Sequence, residues 1–209
     1  DALPILQKSG NMPFSRFMEL VLNCPVYGYY VKEKDKIGRR GDFFTNVSVG
    51  NMFGELLASQ FAEWLQPSQP ARRLYIIEAG AHDGALARDI LTWLVRHRSE
   101  LVRSLKYCIV EPSRTRREWQ QQTLTEFPDT VEWAADLLEI KQRASDAQSD
   151  LKSAGLHGII FANELLDAMP VRRWGWDATD RSWIEWGVGL EADSFVWRKI
   201  RPTDASEAP

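Results

Sequence analysis

Between Leu74 and Ala162 the chain alternates short apolar runs with helical patterns, and this alternation limits its possible folds more than any other feature. Leu74 to Glu78 has the character of a strand and ends in a glycine-bearing turn. Leu86, Ala87, Ile90, Leu91, Leu94 and Val95 then recur at the spacing of one helix face. A second strand at Tyr107 to Glu111 precedes a polar helix from Arg114 to Gln122. A third strand lies near Val131 to Ala134, and a fourth runs from Gly158 to Ala162. Strands separated by helices imply a parallel sheet with right-handed crossovers. The expected class is α/β, a doubly wound Rossmann-like sheet.

The flanks have a different character. Phe14, Phe17, Met18, Val21 and Leu22 mark an amphipathic helix beginning at Pro13, and Val49, Met52, Phe53, Leu56, Leu57, Phe61, Trp64 and Leu65 mark another. Gly50 and Gly54 fall within the second pattern, so a neighbour is expected to approach that face closely. After Pro170 the residues alternate in β fashion, at Val171 to Trp176, Trp183 to Val188 and Ser194 to Ile200, spaced for antiparallel hairpins. The expected division is a helical lead-in over 1–71, a nucleotide-type domain over 72–171 and an antiparallel β extension over 172–209. Trp174, Trp176, Trp183, Trp186 and Trp197 crowd the extension, more aromatic surface than a small hairpin layer buries. A partner surface or a homo-oligomer contact is expected there.

A net charge of −3 gives no basic footprint for wrapping nucleic acid, and none is expected as a partner. Two cysteines, Cys24 and Cys108, stand far apart in apolar contexts and read as inert core thiols. Three histidines, His82, His97 and His157, share no ligand spacing, so no metal site is expected. No run of apolar residues is long enough for a membrane span.

In a doubly wound sheet a ligand sits outside the carboxyl ends of the strands, so the residues there carry the argument. At the first end stands Glu78-Ala79-Gly80-Ala81-His82-Asp83-Gly84. A dinucleotide fingerprint would place glycines at 80, 82 and 85, whereas positions 82 and 85 hold His82 and Ala85. An acidic residue with Gly80 and Gly84 suits a ligand carrying an ammonium better than one carrying a pyrophosphate. At the second end Glu111 can accept from both ribose hydroxyls of a nucleoside. At the third, Asp136 with Leu137 can meet an adenine, and a helix N-cap is the competing role for Asp136. The fourth end is Asn163-Glu164-Leu165-Leu166-Asp167-Ala168-Met169-Pro170. Carboxylates directly after an apolar strand are costly unless they face a cleft.

These motifs, with Tyr27-Gly28-Tyr29-Tyr30, Gly41-Asp42-Phe43-Phe44-Thr45 and Phe53-Gly54-Glu55-Leu56 ahead of them, resemble the MidA family of S-adenosylmethionine-dependent methyltransferases. That family includes the mitochondrial complex I assembly factor that methylates arginine. The resemblance covers about Phe14 to Val171. The family's usual turn has a proline and a further glycine where this chain has Ala81, His82 and Asp83. Family members also continue beyond the hairpins, so the sheet is expected to be incomplete at the C-terminus.

The resemblance implies S-adenosyl-L-methionine as cofactor, held by Glu78, Gly80, Ala81, Gly84, Glu111, Asp136, Leu137 and Asn163. Glu164 and Asp167 become the catalytic carboxylates, orienting a cationic acceptor such as a guanidinium by charge-assisted bonds. Gly41, Asp42 and Thr45 become a lid. The implied acceptor is a protein, an arginine of a respiratory-complex subunit, met in the cytoplasm of a bacterium or the mitochondrial matrix of a eukaryote. Two other readings stay open: a scaffold protein that keeps the fold without chemistry, and an NAD-dependent oxidoreductase, which the absent middle glycine disfavours.

Overall fold

The structure, a computed structural model, describes residues 4, 6, 10–24, 26–30, 50–65, 73–146 and 156–200. The lid residues Gly41, Asp42 and Thr45 lie outside the described residues. In chain order the elements are β1 (Asn11–Pro13), α1 (Phe14–Asn23), α2 (Met52–Trp64), β2 (Leu74–Ala79), α3 (Ala85–His97), the short α4 (Ser99–Val102) and β3 (Leu105–Val110). There follow α5 (Arg114–Thr123), β4 (Val131–Ala134), α6 (Leu137–Asp146), β5 (Gly158–Ala162), a 3-10 turn at Leu166–Ala168, β6 (Arg173–Asp177), β7 (Ser182–Glu191) and β8 (Ser194–Ile200). They group into two compact units, residues 34–165 and residues 1–33 with 166–209.

The first unit is the expected parallel sheet, in the order β4-β3-β2-β5. Central β2 is buried on both faces, which explains why Leu74 to Ile77 reads as an unbroken apolar run. On one face Leu74 and Ile76 join Leu86, Ala87, Ile90, Leu91 and Leu94 of α3 and Ala58, Phe61 and Ala62 of α2. On the other, Tyr75, Ile77, Cys108 and Ala134 meet Ile140 and Ala144 of α6. Burial pushes the Cys108 thiol up to about 12, as suits an inert core residue. Cys24, by contrast, is only half-buried.

Helix α2 is phased differently from the expected stripe. Gly54, Ala58, Phe61, Ala62 and Leu65 face inward, while Met52, Leu56 and Trp64 are exposed. Small residues decide this, because a Cβ at Gly54 would stand 2.7 Å from Cβ of Asp89 on α3. The close neighbour anticipated there is a helix. Gly50 lies ahead of α2, with nothing within 4 Å of its Cβ position.

In the second unit β6, β7 and β8 form the expected antiparallel meander. Strand β1 adds to the same edge of β7 just beyond β6, pairing Asn11 with Gly189 and Pro13 with Gly187. Helix α1 follows β1 directly and lays Phe14, Phe17 and Leu20 on Leu6, Met12 and Val188. A Cβ at Gly187 would come within 2.5 Å of the Met12 carbonyl oxygen, so this strand pairing requires glycine there. Trp176, Trp183 and Trp197 remain exposed.

Candidate functional site

Strand order reverses between β2 and β5, because the chain runs outward from β2 through β3 to β4 and then returns to β2's other side. The crevice beyond the carboxyl ends of these two strands is where such sheets bind ligands. Gly80 follows β2 with φ +77°, a left-handed conformation that a side chain disfavours. Its missing Cβ would lie 2.8 Å from Leu165 Cδ1, so the loops after β2 and β5 touch through this glycine.

Glu78 is 2% exposed, and Tyr107 Oη donates to its Oε2 at 2.7 Å. Among the described residues Tyr107 is the sole hydrogen-bond donor to this carboxylate, leaving Oε1 without a partner. Burial lifts the Glu78 carboxyl from 4.5 to about 7, against the Tyr107 hydrogen bond, with Asp83 adding to the rise. A half-satisfied buried carboxylate poised near neutrality at a switch point fits a cationic ligand group.

The turn from Gly80 to Gly84 is held from below. Gly84 caps α3 in a left-handed conformation, φ +85°, and its N–H donates to the Ala81 carbonyl at 2.7 Å. Asp83 Oδ1 accepts from the Ala85 N–H at 3.1 Å. Burial alone would raise the Asp83 carboxyl, but hydrogen bonds from His82 and the Ala85 N–H outweigh it and leave the group lowered. Ala81 is buried. His82 adopts φ +46° without being glycine, and its carbonyl oxygen accepts from Gln120 Nε2 at 3.0 Å. The sequence gives no sign of Gln120. It stands among Gln121, Gln122 and charged neighbours on the most polar helix, and only packing singles it out as fully buried.

Glu111 stands directly after β3, as expected, and is 3% exposed. Its Oε1 accepts from the Ser113 N–H at 2.9 Å, and its Oε2 lies 3.8 Å from Arg116 Nη1. The carboxylate is thus anchored in place by the loop entering α5. Asp136 serves as the N-cap of α6, its Oδ1 accepting from the Glu139 N–H at 2.9 Å, so the structure displays the competing role. Leu137 beside it is exposed.

The fourth strand end follows β5. Among the described residues β5 stands last in the strand order, with alternate residues exposed and Ile160 at 59%. Asn163 is half-buried, and Glu164 is exposed with φ +50°. Asp167 is exposed in the 3-10 turn and groups with the other unit. Among the described residues no cluster of His, Cys, Asp and Glu gathers as a metal site.

A family described as "Putative S-adenosyl-L-methionine-dependent methyltransferase" matches residues 56–208. The chain belongs to this methyltransferase family. The likeness to MidA methyltransferases drawn from the motifs, and the α/β fold class, therefore hold. Curated relatives named "Protein arginine methyltransferase NDUFAF7, mitochondrial" are 32% identical in Mus musculus, over 94% of this chain and 46% of the mouse protein, and 34% identical in Xenopus tropicalis, over 94% and 46%. The chain spans about half the length of these relatives. A Burkholderia thailandensis crystal structure bound to S-adenosyl-homocysteine is similar at TM-score 0.72 and 33% identity, covering 99% of this chain and 50% of that one.

Proposed function

We propose that this chain binds S-adenosyl-L-methionine at the β2–β5 crevice and takes part in methyl transfer to a nitrogen of a protein arginine. The observation that carries this reading is Glu78, buried beside Gly80 at the reversal of strand order with Oε1 unpartnered among the described residues. Glu78 holds the ammonium at the methionine end, where Gly80, Ala81 and Gly84 shape the turn. Glu111 accepts from the ribose hydroxyls through Oε2, whose long ion pair to Arg116 leaves acceptor capacity. Asp136 and Leu137 line the adenine side, and Asn163, directly after β5, stands on the other side of Glu78. The donor, when bound, supplies a sulfonium methyl electrophile. The chain's part is alignment, since in-line displacement gains most from fixed geometry in a water-poor site. Glu164, exposed just after β5, draws in a guanidinium by charge. The arginine acceptor is supported by the relatives' naming.

Calorimetry with S-adenosylmethionine, S-adenosylhomocysteine and NAD, each titrated separately, tests the reading. Binding of the first two and not of NAD is expected. Tight NAD binding, or binding of none, overturns it. Transfer of labelled methyl to an arginine-rich protein then separates an enzyme from a scaffold that only keeps the fold.

A further inference from the structure

Gln120 occupies a position that none of the four strand ends accounts for. It lies on α5, has no exposed surface, and spends both ends of its amide on the site's framework. Nε2 donates to the His82 carbonyl at 3.0 Å, and Oε1 accepts from Trp133 Nε1, on β4, at 2.9 Å. The indole N–H can only donate and the backbone carbonyl can only accept, so the amide has a single workable orientation. The two contacts join the carboxyl ends of β2 and β4, two strands that β3 separates in the sheet. His82 sits in the turn after central β2, and Trp133 is on β4, the strand whose end carries Asp136 and Leu137.

His82 needs such a tie. A non-glycine residue at φ +46° gives up free energy to hold that conformation, and it persists only where the surroundings fix it. Helix α5 also comes close enough that a Cβ on Gly84 would lie 3.4 Å from Gln120 Cα. The turn thus rests on α5 at both of these residues.

We propose that Gln120 is a positioning residue for donor binding, one that holds the His82 carbonyl and so fixes the turn receiving the methionine end of the donor. This rests on the reading of the crevice as a donor site. Gln120 itself touches no ligand group in this scheme. Losing it leaves the turn free to relax while the ribose-side anchor at Glu111, held by the Ser113 N–H, stays in place.

The test compares two ligands. S-adenosylhomocysteine carries the amino-acid end, whereas 5′-methylthioadenosine lacks it. Titration of Gln120→Met, which keeps the volume and removes both hydrogen bonds, should show about tenfold or greater loss of affinity for S-adenosylhomocysteine. Affinity for methylthioadenosine should change less than about threefold by the same measure. A merely structural role would weaken both ligands alike, and that result overturns the proposal, as does unchanged affinity for both. Trp133→Phe keeps a ring, removes only the indole N–H that orients the amide, and should give the same ligand preference at smaller amplitude. It carries the test if Gln120→Met does not fold. Failure of the wild-type chain to bind either ligand would overturn the donor-site reading, whereas equal losses in a binding-competent variant overturn only the role of Gln120.

Discussion

Tyr107 Oη donates a 2.7 Å hydrogen bond to Glu78 Oε2 across two neighbouring parallel strands, both side chains being almost fully buried. The pair sets the protonation of the candidate site. Burial holds the Tyr107 phenol well above its ordinary value, with the neighbouring Glu78 charge adding to the rise, so Tyr107 stays a donor at any ordinary pH.

Stability should carry the mark of Glu78. Its carboxyl titrates near 7 folded and near 4.5 ordinarily, so between these values the native state binds the extra proton. Stability of the unliganded protein should therefore fall as pH rises from 4.5 to about 7. Glu78→Gln removes the penalty and should be the more stable form at pH 8, by up to about 3 kcal/mol at roughly 1.4 kcal/mol per pH unit. The difference should shrink toward pH 5. Urea denaturation at both pH values checks it, and a gap that does not vary with pH rules Glu78 out as the cause.

Donor affinity should move the opposite way. An ammonium is held by the ionised carboxylate, so the S-adenosylhomocysteine dissociation constant should tighten as pH rises toward about 7 and then level off. The slope below that point should approach tenfold per unit. In Glu78→Gln binding should be weak and flat with pH. A wild-type profile without slope removes the charge contact from the site.

Glu111→Ala should weaken donor binding by about 1–3 kcal/mol, the loss expected when buried hydroxyls give up a charged partner. Glu111→Gln should keep the Ser113 N–H contact through its amide oxygen and lose less. Equal affinity for all three forms would place the ribose elsewhere.

Gly80→Ala meets two obstacles of different kinds. The left-handed backbone costs about 1–2 kcal/mol with a Cβ present, and the new methyl would stand 2.8 Å from Leu165 Cδ1. Leu165→Ala relieves only the second. Gly80→Ala/Leu165→Ala should thus lose less stability than the two single changes summed, by thermal or urea unfolding. Strict additivity would mean that the two loops do not press on each other.

In the second unit Glu185 is fully buried and held by Arg172 through two bonds, Nε to Oε1 at 3.0 Å and Nη2 to Oε2 at 2.8 Å. Arg172→Met strands that carboxylate and should cost about 3 kcal/mol, the low end for a broken buried pair, because Arg172 keeps 23% of its side chain in solvent. Adding Glu185→Gln should recover much of the loss. No recovery would place the effect in Arg172's packing over Trp174 rather than in its charge.

The order of strands and helices from Leu74 to Ala162, and with it the positions of Glu78, Gly80 and Glu111 at strand ends, was legible because it depends on local period and turn residues. Burial was not. Asn163 and Glu164 follow an apolar strand, and whether they are buried depends on what packs around β5, a property of the assembled sheet; among the described residues Asn163 is half-buried and Glu164 exposed. Helix α2 has enough apolar residues for two stripes, and the close approach at Gly54 decides which one faces the core. Gln120, Gln121 and Gln122 are chemically alike, and only the packing of α5 beneath the Gly80–Gly84 turn distinguishes the first. Likewise β1 is three residues without a pattern of its own, and β7's two glycines, far away in sequence, make room for it. The sequence determined which elements form and where their ends lie, since neighbours along the chain suffice for that. Which polar groups are buried, and what they hold, was decided by contacts between residues distant in sequence, and these exist only once the sheet and its helices have packed.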